Sequence, residues 1–178
     1  MSTQYLFLVV NLLGGCAVLG GYIVCLSAYP QHGEALWGGI QGDLRNVVIA
    51  SMVLAASGNL VLCFYVIRLD GLSGEQSISL HLWATVTSSI FLLSAALWMP
   101  ATISFIHLGH TVLWVVAVTS LWATAGSLVG LTAIFALNSE LPTTLGRYIA
   151  ILGIGYITFH CLVLDALIWV RLFDRHNL

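Results

Sequence analysis

Five long apolar runs, Tyr5–Ala28, Asn46–Ile67, Leu80–Met99, Thr111–Leu137 and Tyr148–Val170, leave this chain very little choice of fold. Each is near or above the roughly 20 residues that a helix rising about 1.5 Å per residue needs to cross about 30 Å of hydrocarbon. Unpaired backbone amides are too costly in lipid, and the runs are too long for barrel strands, so helix is the state open to them. The expectation is an all-α integral membrane bundle of about five transmembrane helices, forming one domain over residues 1–178 with its termini on opposite sides. Only 7% of residues are charged against 60% hydrophobic, too few to coat a water-facing surface, so lipid must cover most of the exterior.

The connections, Tyr29–Arg45, Arg68–Ser79, Pro100–His110 and Asn138–Arg147, are too short to hold a soluble domain. Asp70-Gly71 reads as a turn, Pro100 as the stop of the third span, and Pro142-Thr143-Thr144 as the start signal of the fifth. Ala101–Ile106, still apolar, either extends the third helix or lies in the interface. Gly38-Gly39-Ile40-Gln41-Gly42 reads as a flexible loop. We call the amino-terminal side A and the opposite side B. Side B carries Arg45, Arg171 and Arg175 against Arg68 and Arg147 on side A, which leans toward a cytoplasmic carboxyl terminus.

Several function classes fall away. Five scattered arginines and a net charge of -2 make no basic track for nucleic acid. With no lysine there is no amine for a Schiff base. The four cysteines, Cys16, Cys25, Cys63 and Cys161, lie in apolar runs without a C-x-x-C pair and read as packing residues.

Helices in lipid meet where small residues let backbones approach. Gly14, Ala17 and Gly21 make such a stripe in the first span, Ser51, Ala55 and Gly58 in the second, and Gly126-x-x-x-Gly130 in the fourth. The favoured use of these stripes is as seams within the chain, with self-association or other membrane subunits as the alternative. Trp37, Trp83, Trp98, Tyr29, Tyr148 and Trp169 lie near span ends and read as an aromatic belt, whereas Trp114 and Trp122 read as deeper core.

Ionisable groups inside a span are candidates for function, because lipid makes them expensive to keep. His160 lies mid-span and Asp165 nearer side B, about 140° apart on an α-helix, so they need not face one cavity. With Asn59, and with His81, Thr85 and Ser88 on one face of the third span, they make a polar route, or else Asn59, Ser88 and His160 hydrogen-bond one another as neutral glue worth about 0.6 kcal/mol each. Arg45 stands where the helix dipole disfavours a cation, and Asp43, lipid phosphate and Asp165 are the candidates to compensate it. A pair with Asp165 is the sharpest expectation.

His107-x-x-His110 places two imidazoles on one helical face, a geometry that can chelate a metal, with Glu34, Asp43 or Asp165 to complete the site. His81, His107, His110 and His160 are the choices for axial haem ligands, though no spacing selects a pair and no cofactor is strongly implied. The leading expectation is a non-enzymatic subunit or ligand-binding component of a membrane assembly. A small transporter or channel using His81, Asn59, His160 and Asp165 comes next, and a membrane enzyme or metal/haem site near His107, His110 and Asp165 last.

Overall fold

Apolar length and helix propensity act together in this chain, and the computed structural model, which describes residues 3–68, 75–139 and 141–173, contains helices and no strand among them. The helices are α1 (Thr3–Ala28), α2 (Gly42–Ile67), α3 (Glu75–Leu108), α4 (Thr111–Leu137) and α5 (Leu145–Phe159). From α5 the helix runs on without a break as a π-helical segment, His160–Trp169, and a last turn, α6 (Val170–Leu172). Five helices, the fifth spanning Leu145–Leu172, are long and apolar enough to cross a membrane. This is an all-α bundle with the composition of a multi-pass membrane protein.

The distribution of side chains is the reverse of a soluble protein's. Leu12, Leu60, Leu93 and Leu152 are each about 70% exposed on the outside, whereas Ser88, Thr102 and His81 are buried to within 1% of complete enclosure. Lipid accepts the first set, and only the bundle interior can hold the second.

Chain order and spatial order differ. α1 lies on α3, α3 on α4, α4 on α5 and its π continuation, and α5 on α2, which touches α1 lightly. Two larger apolar clusters and a smaller third, Leu36 with Met99 and Ile103, fill the interior among the described residues. Toward side A, Phe7, Leu62, Leu128, Leu131, Phe135 and Ile154 interlock. Toward side B, Ile40, Val48, Trp114, Leu164, Trp169 and Phe173 do the same.

α2 and α5 meet at Gly58 and Gly153. A Cβ on Gly58 would collide with the Gly153 carbonyl oxygen, and one on Gly153 would lie 2.9 Å from the Gly58 oxygen. Both obstacles are backbone and cannot rotate away. Gly58 belongs to the small-residue stripe that the sequence displays; Gly153 is its unmarked partner. In the first stripe Gly14 abuts Leu92 and Gly21 lies by the Ala96 carbonyl of α3, while Ala17 is exposed. Ser51 and Ala55 are buried. Gly130 touches Thr87 of α3, but Gly126 has open space before it.

Pro100 does not end the third span. α3 continues through it to Leu108, leaving Gly109 and His110 as the whole connection to α4. A proline removes one backbone donor, the one that would serve the Ala96 carbonyl, and burial of Met99, Ala101, Ile103 and Phe105 beyond it holds the helix together. At 34 residues α3 is roughly 51 Å long, so it tilts, bends or projects beyond about 30 Å of hydrocarbon. α5 starts as its signal predicts, with the Thr144 hydroxyl accepting from the Arg147 amide at 3.3 Å. Asp70-Gly71 lies outside the described residues.

The α1–α2 connection is built, not loose. Two 3-10 turns, Pro30–His32 and Ala35–Trp37, lead to Gly38, whose φ of 55° suits glycine. Gly39 then donates its amide to the Leu172 carbonyl at 2.9 Å, so a side chain there would strike that oxygen. Trp169 Nε1 donates to the Leu36 carbonyl at 2.8 Å. The Gly38–Gly42 stretch is therefore a latch on the end of the last helix.

Trp169 and Trp98, expected in a headgroup belt, belong to an aromatic cluster instead. Their rings meet edge to face at 5.2 Å, and Trp114 stacks on Phe173 at 4.8 Å. Trp83 and Tyr148 are exposed, as a belt requires. Trp114 is core, but Trp122 is 47% exposed.

Candidate functional site

Between the two larger apolar clusters lies a polar seam. Ser51 follows Val48 of the side-B core by one turn and precedes Ala55 of the side-A core by one turn; His160 lies likewise between Ile157 and Leu164. Ser51 is roughly 14 Å along α2 from its side-B end.

The π-helical segment decides the geometry. On an α-helix residues five apart diverge around the axis, but i→i+5 hydrogen bonding widens each turn and brings them toward the same side. His160 Nε2 consequently lies 3.6 Å from Asp165 Oδ2. The α-helical expectation that separates the two around the axis is corrected by this change of pitch. The imidazole is enclosed, and a quarter of the carboxylate side chain remains accessible.

On its other edge His160 Nδ1 is 2.8 Å from Ser51 Oγ, and the Tyr156 hydroxyl donates to the same oxygen at 3.0 Å. Four groups thus stand in series: Tyr156, Ser51, His160, Asp165. Among the described residues, Cys161 and Tyr22 are further ionisable side chains that interact electrostatically with Asp165. Tyr22 also packs on Trp98 at 5.8 Å, and Trp98 Nε1 is a buried donor with no acceptor among the described residues.

The expected Arg45–Asp165 pair does not form. Arg45 makes a two-pronged contact with Glu34 across the loop, at 2.8 and 3.2 Å, and its guanidinium lies 4.5 Å over the Trp37 ring. Glu34, close in sequence and on the same side, reaches Arg45 without leaving water. Asp165 turns to His160.

The remaining polar side chains of the spans stand apart from this series. Among the described residues no hydrogen bond joins Asn59 or Ser88 to His160; Asn59 is half-buried, and Ser88 Oγ is enclosed without a partner. His81 is buried on α3, its carbonyl accepting from Thr85. His107 and His110 are exposed; the His107 ring rests against Tyr29 at 5.2 Å and His32 at 5.7 Å. Among the described residues no three His, Cys, Asp or Glu side chains converge as a metal site.

Arg147, which its place in the sequence marks only as a loop charge, is 9% exposed. Its guanidinium donates to the carbonyls of Phe135, Ala136, Asn138 and Leu141 at 2.7–3.2 Å. The cation thereby caps the negative end of α4.

Compared with protein-family models, with curated proteins and with solved structures, the chain matches none.

Proposed function

We propose that the protein is a small proton-linked membrane transporter or channel whose working centre is the His160–Asp165 pair. The observation that carries this reading is the 3.6 Å approach of two ionisable groups inside the bundle, produced by a π-helical segment. Ionisable side chains are expensive in hydrocarbon, and π-helical turns cluster at working sites. Ser51 already partners Nδ1, and purely structural glue at Nε2 needs only a neutral acceptor, so the carboxylate is the feature that favours a protonatable pair. A proton added to either member changes the charge of the pair inside a medium that penalises charge, which is the coupling a proton-linked machine uses.

The test is proton uptake by proteoliposomes under a potassium diffusion potential set with valinomycin. Wild-type protein accelerates uptake over protein-free vesicles, and His160→Leu and Asp165→Asn each abolish the gain. Equal uptake with and without protein overturns the reading.

A second reading, a subunit that packs against further membrane helices or another copy of itself, draws on Gly126. Glycine in a helix interior costs about 1 kcal/mol relative to alanine, and here no described neighbour in the chain uses the space. A partner helix against Gly126 and exposed Trp122 recovers that cost. Crosslinking from cysteine at position 126 in native membranes tests it, an uncrosslinked chain counting against it.

A further inference from the structure

We infer that Ser51 is the positioning residue of the His160–Asp165 pair, holding the neutral imidazole with its proton on Nε2 and reversing its own hydroxyl when the ring becomes a cation. This rests on the reading of that pair as the protonatable centre.

Tyr156 donates its hydroxyl to Ser51 Oγ at 3.0 Å, so the remaining Ser51 hydrogen is free to point at His160 Nδ1, 2.8 Å away. A neutral imidazole has one donor and one acceptor nitrogen. If Nδ1 accepts from Ser51, the ring proton must lie on Nε2, the nitrogen that faces Asp165. Tyr156, Ser51 and His160 therefore point their hydrogens in one direction, toward the carboxylate.

A second proton on the ring makes Nδ1 a donor as well, and two hydrogens then meet between Ser51 and His160. Serine has a way out. Its oxygen has lone pairs for both Tyr156 and Nδ1–H, and its own hydrogen can turn back to the carbonyl four residues earlier, Val47. Other hydroxyls in this bundle make that bond: Ser57 to Val53, Ser94 to Ile90, Ser89 to Thr85. The elements around the ring leave this arrangement unopposed. α5 brings Tyr156, the π segment brings Cys161 and Asp165, α1 brings Tyr22 to the carboxylate, and α4 contains no titratable residue at all. α2 contributes Ser51 itself.

Solid-state nitrogen NMR of His160 in lipid bilayers reads the tautomer directly. Wild-type protein in its neutral state shows the Nε2-protonated ring. Because Asp165 also favours that form, the decisive background is Asp165→Leu, in which the preference persists. Adding Ser51→Ala there lowers the tautomer ratio about fivefold, the worth of one ordinary hydrogen bond, and Ser51→Thr restores it. An Nδ1-protonated ring in the wild type overturns the inference, as does loss of the preference in Asp165→Leu alone. Absence of proton uptake together with the Nε2 form removes the proposed function and leaves this inference standing; uptake with the Nδ1 form does the opposite.

Discussion

Replacing Arg147 by methionine keeps a flexible stem of similar reach and removes the guanidinium, so the effect reads the worth of one cap. Four carbonyls lose their donor. The bonds to Phe135 and Leu141, at 3.2 and 2.8 Å, are buried, and those to Ala136 and Asn138 are partly open. Water can replace a donor at the open pair at little cost. Each enclosed carbonyl left without a donor costs about 1–3 kcal/mol, so two give about 2–6 kcal/mol. Relief from burying a cation offsets part of this, and we expect a loss of about 3 kcal/mol. Steric trapping of unfolding in bicelles measures it. Arg147→Lys, a compact ammonium that cannot fork across four oxygens, should recover at most about half of the loss. The reasoning is refuted if Arg147→Met stays within about 0.5 kcal/mol of wild type, the range of an ordinary surface change, or if lysine restores full stability.

The closest helix contact predicts that Gly58→Ala and Gly153→Ala each destabilise by about 1–3 kcal/mol in the same unfolding assay, because each new methyl meets backbone. Trp169→Phe keeps the aromatic packing but loses the bond to Leu36, and should cost about 1 kcal/mol. Arg45→Gln and Glu34→Gln should match one another, each costing under about 1 kcal/mol at so exposed a pair, and their double mutant should be no worse than either single. Since Arg147 is consumed as a cap, Arg68 is the described arginine left on side A, and we propose that the carboxyl terminus faces the cytoplasm. Reporter fusions at residue 178 check this, an external reporter signal contradicting it.

The five helices were legible because bilayer thickness and backbone satisfaction act on every residue of a run, and composition alone carries that signal. What composition cannot carry is pitch. Nothing in the identities of His160 through Trp169 marks a π-helical stretch, so an angular argument at 100° per residue sends His160 and Asp165 apart. Pro100 misled for a related reason: a missing donor is a local fault, whereas the burial that overrides it comes from neighbours distant in sequence. Gly58 announced itself through its stripe, but Gly153 could be recognised only by what it faces. In the sequence Arg147 reads only as a loop charge, and Arg45 as a charge seeking Asp165. One found carbonyls and the other a carboxylate in its own loop, because partners already near in space need no second charge brought into lipid.

The latch on the side-B face sets an order of events during synthesis. Leu36 emerges from the ribosome 133 residues before Trp169, a delay of roughly 7–27 s at about 5–20 residues per second. Through that interval the first loop can rest against α3, Leu36 on Met99 and Ile103, but its contacts with the final helix must wait until that helix has been made. A polypeptide cut short before Trp169 therefore leaves the Leu36 carbonyl and the Gly39 amide without the partners they have in the finished protein.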